Sequence, residues 1–285
     1  MKLLAENTKV IFVMTSAGIL LDRFADDFEK SCLASLRKIG YPEDKITVIS
    51  DTSTAELQGR HGFPATINYE DSSNMLNYIE TIDCENLIIV SSCHGSMDGF
   101  DSKKKIQPYP FVTALNNNSK AKNIFVMFGQ CFSGIFNYSP LDLKEKNIVL
   151  MGAAGMSSSY SAERLVLDGT RLDWCVNYAV WAFFNWISNP SDVDGDRRTT
   201  AMDLYKYVSS RVLSINDLLE HQSYSQWISK RGEVEKKIEG TDKADTAALD
   251  ALNKELEKND FAYKLPRQLP WIQNVEGAVE MTIEL

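Results

Sequence analysis

The chain is predicted to be an α/β protein built on a mostly parallel sheet. Three features of the sequence predict it: short apolar runs end in polar turns, amphipathic stretches separate them, and the runs are continuously apolar rather than alternating. Strands covered by helices on both faces read this way. They fall at "KVIFVM" (9–14), "ITVIS" (46–50), "NLIIVSS" (86–92), "NIFVMF" (123–128) and "NIVLMG" (147–152).

The connecting elements follow in order. Between the first two strands, Phe24, Phe28, Cys32, Leu33, Leu36 and Ile39 recur at three- and four-residue intervals, one face of a helix, and Gly40 then Pro42 stop it. A second helix follows Asp71, with Met75, Leu76 and Ile79 inward, and "YPFVTALNNN" supplies a third between the third and fourth strands. The run "WCVNYAVWAFFNWI" (174–187) reads as a buried helix or a subunit contact. It is shorter than the roughly 20 residues that cross a bilayer.

Past residue 190 the composition shifts. "RTTAMDLYKYVSSRVLSINDLLEHQ" has the pattern of an amphipathic helix, and 229–260 is rich in Lys, Glu and Asp with Leu, Ile and Ala at helical spacing. The latter is expected to be a solvated helical hairpin or appendage, with an arm for a regulatory protein partner as the alternative. "GAVEMTIEL" alternates like an edge strand over 277–284. No repeat or low-complexity linker intervenes, so one domain is expected over 1–285, with a core at about 9–187 and a helical extension at about 190–265.

Composition bounds the function. A chain of 285 residues, 44% hydrophobic, can bury a full core, and its net charge of −9 argues against a general grip on nucleic acid or on an anionic membrane. Five cysteines, an odd number without framework spacing, point to free thiols in a reducing compartment. The apolar stretch before Glu6 is too short for a signal-peptide core, so a cytoplasmic location is the expectation.

Active sites in such sheets lie beyond the carboxyl ends of the strands. The third strand ends in "SSCHGSMDGF" and the fourth in "GQCFSG", which sets His94 and Cys131 at the same edge, 37 positions apart in sequence (131 − 94). A thiol nucleophile needs a neighbouring imidazole to take its proton and later return it to a leaving amine. Gly95 lets a substrate backbone approach, and its amide with that of Cys131 would bind the developing oxyanion. Cys93 is expected to face the core, because neighbours on a strand point to opposite sides. His61 and His221 are read as incidental.

These residues resemble the caspase-fold, or clan CD, cysteine peptidases, and among them the legumain family. In "FGQCFSGIF", Ser133 and Gly134 match, whereas the acidic residue two before the cysteine is Gly129 here. Arg23 stands ahead of the first helix, "IGYPEDKITVIS" supplies the turn and second strand, "SSSYSAE" the Ser-Ser-Tyr element, and "RLDWCVNYAVW" the Asp-Trp pair that opens a helix in that family. The resemblance spans residues 9–187, about two-thirds of the chain.

It implies a caspase-like three-layer α/β/α sandwich and a cysteine endopeptidase acting on peptides or proteins after Asn or Asp through a thioester. Carried over by position, Arg23, Ser158 and Asp173 would line the pocket for the P1 side chain. Loss of the acidic residue at Gly129 should make that pocket more tolerant of a carboxylate. An ordinary Arg23–Asp173 ion pair is the alternative, and Arg60 in "GRHGFPAT" is a rival P1 arginine. No metal or organic cofactor is required. An amine in place of water would make the same chemistry a peptide ligation. A silent scaffold binding peptide or protein partners is the reading from another class. A flavodoxin-like ligand-binding domain is disfavoured by the single glycine of "TSAGILLD".

"DVDGDRRTTAMD" sets Asp192, Asp194, Asp196 and Asp203 at positions 1, 3, 5 and 12 of a calcium-loop template. Arg197 replaces the glycine of position six, and Asp203 the usual glutamate. The alternative is an Asp-rich turn capping a helix from Thr199.

Overall fold

All five apolar runs become strands. The computed structural model describes residues 7–14, 25, 28–51, 65–68, 72–101, 105–140, 146–159, 162–167, 170–175, 177–262, 268–273 and 283. In chain order the strands are β1 (Thr8–Met14), β2 (Ile46–Ser50), β3 (Ala65–Asn68), β4 (Asn86–Ser91), the short pair β5 (Gly95–Ser96) and β6 (Gly99–Phe100), β7 (Asn123–Phe128), β8 (Asn147–Gly152), the hairpin β9 (Ala162–Leu167) and β10 (Thr170–Cys175), and β11 (Trp271–Gln273). Seven of them form the central sheet in the order β11-β8-β7-β4-β1-β2-β3. Six run parallel, and β11 closes one edge antiparallel to β8.

Burial on both faces explains the unbroken apolar runs. Along β1, Val10, Phe12 and Met14 enter one core cluster while Ile11 and Val13 enter the other. A π-helical turn at Phe28–Leu33, continuing into α1 (Ala34–Lys38), packs on the first face. α2 (Ser72–Thr81) and α3 (Pro108–Asn117) bring Met75, Ile79, Phe111 and Leu115 to the second. α4 (Tyr178–Ile187) and α5 (Ala201–Gly240) then return to the first with Phe183, Trp186, Leu204 and Val208, so helices cover both faces.

Local signals set the boundaries. α1 ends where Gly40 takes φ +70°, with Gly40 N donating to Arg37 O and Tyr41 N to Leu36 O, a left-handed cap that glycine adopts without penalty. Asn177 caps α4 by accepting from Ala179 N and Val180 N. Thr200 and Asp203 form a reciprocal capping box on α5, so the cap is Thr200 rather than Thr199.

Two expectations change. Asp173 and Trp174 do not open a helix: they lie on β10, paired antiparallel with β9, and the helix begins at Tyr178. The apolar run 174–187 therefore holds the end of a strand, the Asn177 cap and a helix. The expected edge strand at 277–284 lies outside the described residues except Ile283, which is buried and donates its N–H to Thr199 O at 2.7 Å. The edge that is seen is β11. Residues 229–260 form the distal part of α5, a turn, and most of α6 (Thr246–Ala262), which packs back against α5. No helix among the described residues is long and apolar enough to cross a membrane.

Candidate active site

The sheet register aligns the two candidate catalytic residues. Ser91 of β4 pairs with Phe128 of β7, and Phe128 with Gly152 of β8, one row at the carboxyl edge. His94 and Cys131 each lie three residues beyond it, 94 against 91 and 131 against 128. Both side chains are half-buried, whereas Cys93 is buried in the core.

Gly95 brings the two loops into contact. A Cβ on Gly95 would sit 2.3 Å from the carbonyl oxygen of Cys131 and 2.5 Å from Cγ of Gln130, so the His-Gly backbone lies directly on the residues that carry the thiol. Gln130 is buried, and Ser91 donates its Oγ–H to Gln130 Oε1 at 2.5 Å, tying the end of β4 to the same turn. His94 is anchored through its carbonyl, which accepts from Asp101 N at 3.0 Å across the β5–β6 hairpin.

Aromatic packing fixes the hairpin to the cysteine turn from below. Phe100 of β6 lies 5.0 Å from Phe136 in the turn after Cys131, and Phe136 stacks on Phe128 of β7 at 4.3 Å. Phe111 of α3 closes the cluster at 5.2 Å from Phe100 and 5.6 Å from Phe136. All four rings are fully buried.

Around Cys131 the backbone turns sharply. Phe132 has φ 55°, a left-handed conformation uncommon outside glycine and asparagine, and its N–H donates to Ser157 O at 2.8 Å. Ser133 donates to Ala154 O and accepts from Trp271 Nε1 at 3.2 Å, joining the turn to the end of β8 and to β11. The sulfur meets the peptide of Ser159: Ser159 N donates to Sγ at 3.2 Å, and Sγ lies 3.6 Å from Ser159 O.

The expected pocket residues fare differently. Ser158 is exposed next to Ser159, Asp173 is placed on β10 by its backbone, and Arg23 and Arg60 lie outside the described residues, as does His61. His221 is exposed on α5. At Gly129 a Cβ would meet Ser91 O at 2.3 Å and Val180 Cγ2 at 2.8 Å, so a side chain there has no room in this sheet.

Three residues around the cysteine turn were not singled out from the sequence: Ser159, which meets the sulfur, and Asn177 and Gln268, which meet Ser159 Oγ. Asn177 carried a legible signal, an amide side chain directly before a helix. Gln268 carried none, because its partners lie 89 and 109 positions away in sequence.

Of the four aspartates of the calcium template, Asp192, Asp194 and Asp196 converge, with carboxylate oxygens within 4.8 Å of one another, all exposed. Asp203 does not join them. It accepts from Val193 N at 2.7 Å and from Thr200 N at 2.8 Å in the cap of α5. Hydrogen bonding from the Lys206 ammonium holds the Asp194 carboxyl below its ordinary range.

No protein-family model matches this chain, and no curated protein matches it.

Proposed function

We propose that this chain is a cysteine endopeptidase of the caspase fold, with Cys131 as nucleophile and His94 as its acid and base, cleaving after Asn or Asp. The observation that carries the reading is the seating of Gly95 on the Cys131 carbonyl, which sets the histidine loop against the cysteine turn at the carboxyl edge of adjacent parallel strands. The resemblance of "HG" and "QCFSG" to clan CD motifs supplies the reaction class and the three-layer sandwich that goes with it.

The chemistry follows from the residue types. His94 takes the thiol proton, the sulfur bonds to the scissile carbonyl carbon, and the amide N–H groups of Gly95 and Cys131 receive the oxyanion. The C–N bond breaks as His94 protonates the leaving amine, leaving a thioester on Cys131. Water attacks, His94 takes its proton, and the C–S bond breaks with return of the thiol. An amine at this second stage gives ligation instead. The P1 preference rests on Arg23, Ser158 and Asp173, with Arg60 as rival, and a regulatory partner at 229–260 fits the same reading. Cys32, Cys84, Cys93 and Cys131 form no disulfide among the described residues, in keeping with a reducing setting for a thiol enzyme.

Intact-mass labelling with peptidyl acyloxymethyl ketones bearing P1 Asn, Asp, Arg or Leu tests this directly. One adduct is expected with Asn or Asp, absent in Cys131→Ala, His94→Ala and Gly95→Ala. No adduct with any probe on the folded wild-type chain would overturn the peptidase and leave the silent scaffold. Release of free acid or of ligated peptide from the thioester separates hydrolysis from ligation.

A further inference from the structure

The Ser159 peptide that meets the Cys131 sulfur is itself held from behind. Gln268 Nε2 donates to Ser159 Oγ at 2.9 Å, and Asn177 Nδ2 approaches the same oxygen at 3.4 Å. Both amides are rooted in the first turn of α4: Ala179 N donates to Gln268 Oε1 at 3.0 Å, and Ala179 N and Val180 N donate to Asn177 Oδ1, each at 3.1 Å. Asn177 also donates to Gly129 O, two residues before the cysteine.

Gln268 is fully buried, with its backbone fixed at both ends. Its N–H donates to Tyr178 Oη at 3.2 Å, and its carbonyl accepts from Asn216 Nδ2 at 2.8 Å. A glutamine amide has one acceptor end and one donor end. With the acceptor turned to Ala179 N–H, the donor faces Ser159.

Resting on the reading of Cys131 as nucleophile, we propose that Gln268 is a positioning residue that acts on Cys131 through Ser159, with Asn177 as the second support. It holds the Ser159 peptide where its N–H dipole meets the charge that develops on sulfur. Gln268 touches no reacting atom.

The test is the rate at which iodoacetamide alkylates Cys131 in the full folded chain, followed by peptide mass, for wild type, Gln268→Ala, Ser159→Ala, the double variant and Ser159→Thr. Gln268→Ala and Ser159→Ala are each expected to slow alkylation about three- to tenfold, the factor one hydrogen bond supports. The double variant should be slowed by clearly less than the product of the two single factors, because Gln268 and Ser159 act through the hydrogen bond they share, and Ser159→Thr should keep the wild-type rate. A wild-type rate in Gln268→Ala, or multiplicative slowing in the double variant, would overturn the proposal. Should Gln268→Ala not fold, Gln268→Met fills the volume without the amide and carries the same expectation. Iodoacetamide needs no substrate pocket, so absent ketone labelling together with intact coupling would sink the peptidase and spare the positioning role.

Discussion

At the scale of single residues, the four described thiols differ by environment. Cys131 is half-buried beside an amide N–H, whereas Cys32, Cys84 and Cys93 are buried. Burial pushes the Cys84 thiol from 9.0 up to about 11. Burial raises the Tyr41 phenol as well, and its hydroxyl donates to Thr8 O at 2.8 Å at the start of β1. Both groups keep their proton when folded and lose it sooner when unfolded. Between the unfolded and folded values the native state therefore binds more protons, and stability falls as pH rises. Urea melts should give constant stability from these groups below pH about 9 and a decline above it, with a smaller decline in Tyr41→Phe. That variant should also cost about 0.5–1.5 kcal/mol at neutral pH for the lost hydrogen bond. An alkaline slope unchanged by Tyr41→Phe would count against the tyrosine's part.

At the scale of elements, the sequence was most readable where burial is symmetric. The runs at 46–50, 123–128 and 147–152 coincide with β2, β7 and β8, because strands buried on two faces tolerate little else. Asp173 and Trp174 are expected to open a helix only by likeness to the family motif, and the end of β10 runs into α4 as one apolar stretch in which Asn177, the cap of α4, alone marks the change. β3 and β11 are short edge strands of four and three residues, set by pairing with a neighbour rather than by their own pattern. The placement of His94 and Cys131 at one edge of the sheet was legible because strand ends are; the Ser159 contact was not, since nothing local encodes it.

Asp203 shows an element deciding between two readings of one motif. Its carboxylate caps α5 and also holds Val193 N, while 1% of its surface is exposed. Asp203→Ala should destabilise the chain by about 1–3 kcal/mol, a lost cap plus an unpaired buried N–H. Denaturant midpoints would show it. Asp196→Ala, at an exposed position of the same loop, should change stability by less than about 0.5 kcal/mol. Equal losses at the two sites would mean that the loop, not the cap, is what Asp203 supports.

At the scale of the whole molecule, the α5–α6 hairpin is an excursion that leaves and returns at one place. Asn216, buried on α5, donates to the carbonyl of Gln268, the first described residue after α6. Among the described side chains of 217–257, Val234 alone is buried. The hairpin thus adds little to the core, while the segment beyond it borders the candidate site, with Gln268 on Ser159 and Trp271 on Ser133. Insertion of a specific protease site between Asp242 and Lys243, at the exposed turn, separates these roles. After cutting, the two fragments should stay together through gel filtration, and Cys131 should alkylate at the uncut rate, since the residues that support it remain paired across the break. Cleavage within 229–260 would then leave the thiol as reactive as before, and any regulation there would act on access to the site. Fragments that separate, or a Cys131 that slows on cutting, would show instead that continuity of the hairpin holds Gln268 in place.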